Sequence, residues 1–220
     1  VDGATADTTF ALILAAARNM IVGDRYARSP EFTAYDPNIL HGYDVFESTL
    51  GIVGMGNIGR EVARRASGFD MKVLYHNRNR DLESEKKLGV AYAILDDLLR
   101  EADFVTLNVP MTPETYHMIG REQLRMMKPT SILVNVARGG VVDHDALVEA
   151  LAENWIAGAA LDVTEPEPLP RDHPLLSMDN VVILPHLGSA ARRTRRNMAQ
   201  LSVDNLLAGL RGEELPRRCA

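Results

Sequence analysis

The sequence has a single cysteine, few aromatic residues and no long hydrophobic segment. Because Cys219 stands alone near the C-terminus, an internal disulfide is excluded, and we expect a solvated thiol in a reducing, cytoplasmic compartment. The longest uncharged apolar run, 10–17, is too short to span a bilayer, and no basic segment precedes it as in a signal peptide. The sequence therefore predicts no membrane partner.

An excess of positive charge is also missing. The formal net charge is −6 at pH 7, so we expect no nucleic acid as a partner. The cluster Arg192, Arg193, Arg195 and Arg196 has no interleaved aromatic residues and is interpreted as a solvated helix face. The chain starts at Val1 rather than Met and enters helical sequence at once, so we expect further residues to precede it in the full protein.

What the sequence does contain is 220 residues with an apolar fraction of 46%, which suffices for the core of one domain. Six short apolar runs alternate with helical patterns. The runs are continuous, as in strands that are buried on both faces, and this order predicts an α/β fold with a doubly wound parallel sheet. The predicted strands are 50–53, 71–75, 103–109, 131–136, 157–163 and 181–184.

A Gly-x-Gly-x-x-Gly motif directly follows the first predicted strand and leads into a helix. Gly54 permits a tight turn, Gly56 lets the backbone approach a pyrophosphate, and Gly59 allows close packing of helix and strand. The N-terminus of the helix offers N–H groups and a partial positive charge to phosphates. The motif thus predicts a Rossmann-type dinucleotide site, with contacts from Gly54, Met55, Gly56, Asn57, Ile58 and Gly59.

Long helices are predicted at both ends of the chain. The helix over 1–28 is apolar all round in its middle, so we expect it to be buried in its own domain and to form a dimer contact near Phe10. A final helix is predicted over 189–210. We accordingly divide the chain into a dinucleotide-binding domain, 1–190, and a C-terminal helix and tail, 191–220.

The end of the second predicted strand indicates which dinucleotide to expect. An NAD site usually has an acidic residue there that binds the ribose 2′-hydroxyl, but no acid occurs before Asp81. Instead, Asn77, Arg78, Asn79 and Arg80 place two arginines where a 2′-phosphate would lie. We therefore expect NADP to be preferred and NAD also to be accepted; arginines on a solvated loop face are the alternative.

Three polar residues, Arg138, Asp162 and His186, each end a separate strand-like apolar run, namely SILVNVAR, AGAALD and VVILPH. Parallel strands of one sheet end at the same edge, so these side chains are expected beside the crevice where open α/β sheets bind ligands. Arg138 can hold a carboxylate through two parallel hydrogen bonds, or it can form a surface ion pair. His186 suits proton exchange near neutral pH, and a structural histidine is the alternative.

The carboxylate partner of His186 is ambiguous. Glu165 and Glu167 both lie in a stiff, proline-bracketed segment, and either could orient the imidazole and favour its charged form. Spacing alone does not choose between them. Asp162 can accept hydrogen bonds from a nicotinamide carboxamide or cap the next turn. No residue pattern indicates a metal site.

Four motifs, GIVGMGNIG, NVARGGVVD, LDVTEPEPLP and LPHLGSA, resemble in that order those of the D-2-hydroxyacid dehydrogenase family. The segments PRDHPLL and NLLAGLRGEELP are most similar to its glyoxylate/hydroxypyruvate reductase branch, which includes 2-ketogluconate reductases. The resemblance implies a homodimer in which NADPH passes a hydride to C2 of a small 2-oxo acid, so that a D-2-hydroxy acid is formed.

The resemblance also implies roles for individual residues. Arg138 matches the arginine that binds the substrate carboxylate, His186 matches the acid/base, and Glu167 matches the glutamate that supports the charged histidine. Asp162 matches a nicotinamide contact, and 77–80 matches the loop that holds a 2′-phosphate. Further cofactor contacts are implied at Pro110, Val136 and Gly188.

One part of the family pattern is missing, namely the N-terminal residues that form most of a substrate domain. Without this lobe the cleft is open to water, and the final helix lacks its packing partner. We therefore expect this chain to bind NADPH but to turn over slowly. The alternatives are a truncated form that binds nucleotide without catalysis and an NAD(P)-sensing interaction protein of the corepressor type.

Overall fold

Seven parallel strands form one sheet in the computed structural model, which describes residues 1–217. The strands are β1 Thr49–Val53, β2 Lys72–His76, β3 Ala91–Tyr92, β4 Phe104–Leu107, β5 Ile132–Asn135, β6 Gly158–Leu161 and β7 Val181–Ile183. Their order, β3-β2-β1-β4-β5-β6-β7, confirms the predicted doubly wound sheet. Cys219, which we expect in a solvated tail, lies outside the described residues.

Helices cover both faces of this sheet. They are α1 Asp2–Ala17, α2 Met20–Arg28, α3 Asn57–Ala66, α4 Leu82–Leu88, α5 Leu95–Glu101, α6 Arg121–Met126, α7 His144–Ala152 and α8 Arg192–Leu210. Buried side chains of α1 and α3 form the core on one face, and those of α5, α6 and α7 form the core on the other. Every residue of β4, β5 and β6 is buried, as continuous apolar runs predict.

The predicted strands around the site are longer than the observed ones. β4 ends at Leu107 rather than at 109, and β6 ends at Leu161 rather than at 163, because the residues that follow turn away to form loops at the sheet edge. The short strand β3 was not predicted at all. It has two residues, too few for a periodicity, and its Tyr92 ring packs edge-on against Tyr75 of β2.

The helix predicted over 1–28 is in fact two helices. Asn19 separates them with φ at 52°, and its side-chain amide donates to the carbonyl of His41 at 2.9 Å. Asparagine tolerates this left-handed conformation better than most residues do. On α1, Phe10 is buried and stacks on Phe69 at 5.2 Å between ring centroids, so its ring packs within the chain. The dimer contact expected near Phe10 stays a prediction.

Exposed apolar side chains occur instead just beyond α1 and along α8. In α2 and the segment 29–46 they are Met20, Ile21, Phe32, Tyr35, Ile39, Leu40, Tyr43 and Phe46. Within the described chain, Ala208 alone is buried on α8, whose exposed apolar residues are Met198, Leu201, Val203, Leu206, Leu207 and Leu210. None of the helices between residues 1 and 217 is long and apolar enough to cross a bilayer.

Candidate active site

The glycine turn between β1 and α3 has the predicted backbone geometry. Gly54 has φ at 102°, and its N–H donates to the carbonyl of His76 at 2.9 Å. A Cβ atom on Gly59 would lie 2.2 Å from the carbonyl oxygen of Gly54, so helix and strand approach as closely as glycine allows. A Cβ atom on Gly56 would meet no heavy atom within 4 Å, which leaves open space above the turn.

The N-terminus of α3 faces this open space. Gly56 is its N-cap residue, and no side chain among residues 1–217 caps it. The first-turn N–H groups of a helix lack intrahelical acceptors and carry partial positive charge, so they suit a phosphate. The turn therefore fits a dinucleotide pyrophosphate by its own geometry.

A cleft of about 340 Å³ adjoins the turn. The glycine turn forms one side, the loop after β2 a second, and the loop after β4 a third. Predicted cofactor residues that line it are Gly54, Met55, Gly56, Asn77, Arg78, Asn79 and Pro110. The side-chain oxygen of Asn77 accepts a hydrogen bond from the Met55 N–H at 2.8 Å, so this asparagine fixes the turn against the neighbouring loop.

The two arginines expected at a 2′-phosphate are not equivalent. Arg78 lines the cleft, is exposed and makes no ion pair within residues 1–217. Arg80 is turned towards Glu85 of α4, to which its Nε and Nη2 atoms donate at 2.7 Å each. The hydrogen bonds from Arg80 hold the pKa of the Glu85 carboxyl below its usual range, and the hydrogen bond from Tyr75 makes a smaller contribution in the same direction. Only Arg78 is thus presented to the cleft as predicted.

Arg138, Asp162 and His186 lie at one sheet edge, as predicted, because they follow the neighbouring strands β5, β6 and β7. His186 Nδ1 lies 2.8 Å from Oε1 of Glu167. Glu165 instead faces His117, with 3.5 Å between its Oε2 and the histidine Nε2. Of the two candidate glutamates, Glu167 is therefore the partner of His186.

Asp162 holds the backbone that carries His186. Its two carboxylate oxygens accept hydrogen bonds from the N–H groups of Leu187 at 2.6 Å and Gly188 at 2.8 Å. Its backbone carbonyl also accepts from the His186 N–H at 2.9 Å. The carboxylate is buried, so this geometry gives Asp162 the turn-capping role, and the nicotinamide contacts of Asp162 and Gly188 stay predictions.

Arg138 projects from a tightly held loop. Its side chain is exposed, and within residues 1–217 its Nη1 atom donates a hydrogen bond to the carbonyl of Ala137 at 2.7 Å. A surface ion pair, the alternative interpretation, is therefore absent from this part of the chain. A Cβ atom on Gly139 would lie 2.1 Å from the carbonyl of Thr164, so the loop packs directly on the segment that leads to Glu167.

Asn135 fixes the Arg138 loop, a role that was not predicted from the sequence. Its side-chain amide donates to the carbonyl of Arg138 at 2.9 Å, and its oxygen accepts from the Ala137 N–H at 3.0 Å. The side chain is fully buried at the end of β5, next to Val136, which is also buried. The sequence did contain a signal for this role, because Asn135 is a polar residue at the end of a continuous apolar run. A buried amide at such a position is normally hydrogen-bonded to its surroundings.

A second group of polar residues lies beside this loop. His144 is buried, and burial lowers its pKa below the usual range. Its Nδ1 lies 3.1 Å from the carbonyl of Val142, whereas its Nε2 has no hydrogen-bond partner within residues 1–217. The ring of His173 meets it edge-on at 6.3 Å between centroids. No set of side chains in the described range is arranged to hold a metal ion.

The sequence of this chain is similar to those of known proteins. A sequence model of the D-isomer specific 2-hydroxyacid dehydrogenase family, NAD binding domain, matches residues 10–188. A glyoxylate reductase of Korarchaeum cryptofilum is 56% identical over 213 residues, which are 96% of this chain and 64% of that protein. The chain spans 64–65% of the length of this protein and of a glyoxylate reductase from Thermococcus onnurineus that it also matches.

Solved structures share the fold over nearly the whole chain. A Thermus thermophilus protein superposes with a TM-score of 0.94 at 49% identity, covering 100% of this chain and 68% of that one. A D-lactate dehydrogenase from Lactobacillus jensenii, solved with NAD+, superposes with a TM-score of 0.88 at 31% identity, covering 100% of this chain and 69% of that one. These chains are thus longer than the one described here.

Proposed function

Because the chain belongs to the D-isomer specific 2-hydroxyacid dehydrogenase family, we propose that the whole protein reduces a small 2-oxo acid with a nicotinamide dinucleotide. The observation that carries this proposal is the 2.8 Å pair of His186 and Glu167, at the same sheet edge as Arg138. The glyoxylate, hydroxypyruvate and 2-ketogluconate class is the proposed substrate range, and the similarity to glyoxylate reductases supports it.

The side chains at the sheet edge divide the reaction between them. The exposed guanidinium of Arg138 binds the substrate carboxylate through two parallel hydrogen bonds. His186 in its charged form donates a proton to the carbonyl oxygen at C2, and Glu167 keeps the imidazole oriented and compensates its charge. When bound, the reduced nicotinamide supplies the hydride that C2 accepts. Positioned proton transfer contributes about 10²–10⁴ in rate.

We propose NADPH as the preferred reductant, with NADH also accepted. Arg78 at the cleft supports this preference, because a guanidinium pairs with a 2′-phosphate. Asn77 supports it as well, since a neutral amide stands where a carboxylate would repel that phosphate. The position of Arg80 against Glu85 limits the preference.

Two surfaces support proposals about assembly. The exposed apolar side chains of α2 and 29–46 are proposed as part of the contact between two copies of the protein. The exposed apolar residues of α8 are proposed to pack on the substrate domain of the longer protein. Without that domain His186 and Glu167 keep 44% and 42% of their side-chain surface in solvent, so water is not excluded from the site.

The test compares two proteins, the 220-residue chain and a version to which an N-terminal substrate domain has been restored. NADPH consumption is measured for both with hydroxypyruvate and glyoxylate, and NADPH binding is measured separately by fluorescence. We expect both to bind NADPH and the restored protein to turn over much faster. His186→Ala in the restored protein is expected to bind NADPH but lose turnover.

Three outcomes would count against the proposal. Absence of turnover in the restored protein would overturn the assigned reaction. Comparable kcat values for the two proteins would show that the substrate domain is dispensable. Undiminished turnover in His186→Ala would remove the assigned proton donor.

A further inference from the structure

Glu85 holds the second arginine of the loop after β2 in a forked ion pair. Nε and Nη2 of Arg80 donate to Oε1 and Oε2 of Glu85 at 2.7 Å each. The residues that line the dinucleotide cleft include Arg78 and Asn79 but not Arg80. The loop after β2 therefore contains two arginines, and one of them, Arg80, is already paired with a carboxylate of its own domain.

Glu85 is the more buried member of the pair, and Arg80 is the more exposed one. The Glu85 side chain is 16% exposed, whereas that of Arg80 is 59% exposed. Oε1 of Glu85 also accepts a hydrogen bond from the hydroxyl of Tyr75 at 2.8 Å, and that hydroxyl accepts one from the N–H of Asp81 at 2.7 Å. Tyr75 is fully buried in β2, so Glu85 is anchored to the sheet.

In this arrangement, Glu85 competes with any phosphate for the guanidinium of Arg80. A guanidinium forms the same bidentate contact with a carboxylate as with a phosphate, and both contacts cannot be made at once. If Arg80 turned to the cleft, Glu85 would keep only the hydroxyl of Tyr75 as a hydrogen-bond donor among the partners it has now. The lost pair therefore offsets much of what Arg80 would gain.

We propose that Glu85 is a specificity-determining residue that lowers the selectivity of the cleft for NADP over NAD by withholding Arg80. Selectivity then rests on Arg78, and NAD is accepted because the 2′-phosphate finds one arginine instead of two. This inference rests on the proposed function, since it requires that the cleft bind a nicotinamide dinucleotide.

The test measures dissociation constants for NADPH and NADH by fluorescence titration of the 220-residue chain, so it needs no turnover. Glu85→Gln keeps an oxygen for the Tyr75 hydroxyl but releases Arg80. We expect NADPH to bind about three- to tenfold more tightly, in line with a charge-assisted pair that is partly exposed. The dissociation constant for NADH should stay the same, because NADH has no 2′-phosphate.

Glu83→Gln is the matched control. Glu83 lies on the same helix, loses the same charge and pairs with Lys87 rather than with the loop. We expect this variant to bind NADPH as the unmodified chain does. A thermal melt of each variant verifies that it is folded before titration.

Arg80→Met separates release of the arginine from simple removal of a negative charge. In the unmodified background we expect NADPH affinity to stay nearly the same, because Glu85 already withholds Arg80, and in the Glu85→Gln background we expect the whole gain to disappear. If Glu85→Gln still tightens NADPH binding when Arg80 is absent, the proposal is overturned. It is also overturned if Glu85→Gln alone leaves NADPH binding unchanged or weakens it. A chain that binds neither dinucleotide would overturn the proposed function itself, which is a different result.

Discussion

Nδ1 of His186 lies 2.8 Å from Oε1 of Glu167, although the two residues belong to loops that follow different strands. The adjacency of β6 and β7 brings the loops together, and Asp162 fixes the backbone at the histidine and at the two residues that follow it. Glu165, two residues earlier, points to His117 instead. One carboxylate of the segment thus faces the proposed proton donor, and the other faces a neighbouring loop.

Glu167→Gln should impair reduction in the protein with a restored substrate domain. The amide can still contact the imidazole, but it carries no charge to compensate the ring that donates the proton. We expect kcat at neutral pH to fall about tenfold or more, as part of the about 10²–10⁴ that positioned proton transfer contributes as a whole. The measurement is kcat for hydroxypyruvate at neutral pH.

Glu165→Gln is the control for this experiment, because it removes an equal charge from the same loop at a residue that faces His117. We expect its kcat to match that of the unmodified protein. An equal loss of kcat in both variants would mean that the loop charge as a whole, rather than the contact at Glu167, supports the histidine.

Asp162→Asn should displace the loop that carries His186. An asparagine side chain has one oxygen, so it can accept from Leu187 or Gly188 but not from both through separate atoms, as the carboxylate does. We expect a loss of about 1–3 kcal/mol in the free energy of unfolding, as for an unsatisfied buried group. Denaturant titration measures this, and unchanged stability would show that the two hydrogen bonds are dispensable.

Two glycines of the turn should respond differently to the same substitution. Gly59→Ala places a Cβ atom 2.2 Å from the Gly54 carbonyl, and we expect it to cost about 1–3 kcal/mol of stability. Gly56→Ala meets no protein atom within 4 Å and has φ at −82°, so stability should be kept. NADPH affinity should nonetheless fall about tenfold, equivalent to one hydrogen bond.

Thermal melts and NADPH titrations of both variants check this pair of predictions. Gly68→Ala, which also meets open space but lies away from the cleft, is the matched control. Equal loss of stability in Gly56→Ala and Gly59→Ala would contradict the geometry of the turn. Unchanged NADPH affinity in Gly56→Ala would place the pyrophosphate elsewhere.

His144 should make the fold less stable in mild acid. Burial lowers its pKa in the folded state, so as the pH falls through the ordinary histidine range the unfolded chain binds a proton that the folded chain does not. Stability contributed by the neutral ring is thus complete at alkaline pH and is lost as the pH falls. We expect His144→Gln to show a smaller decrease in Tm between pH 7.5 and 5.5 than the unmodified chain. Identical decreases would show that other groups cause the acid sensitivity.

The doubly wound parallel sheet could be predicted because the local signals agree with one another. Continuous apolar runs mark buried strands, and polar capping residues mark helix starts, as Asp143 does when it accepts from the Ala146 N–H at 3.0 Å. The break at Asn19 could not be predicted in the same way. It depends on the carbonyl of His41, a contact between residues 22 positions apart that no local pattern encodes.

For the site, the sequence predicted which edge of the sheet carries the polar side chains but not how those side chains pair. Strand ends placed Arg138, Asp162 and His186 together, since the direction of parallel strands fixes where their ends meet. Which glutamate faces His186 depends on the path of the proline-bracketed loop, and the occupation of Arg80 depends on helix α4. Both are tertiary relationships that spacing along the chain leaves open.

The position of α1 has a consequence for how the domain can be divided. This first helix lies against α3 and also against β5, β6 and β7, so the opening residues of the chain complete the core of its last strands. A fragment that started at β1 would therefore lack the helix that packs on β5, β6 and β7. A nick within the exposed stretch 31–44, by contrast, should leave two pieces that stay bound through the buried face of α1.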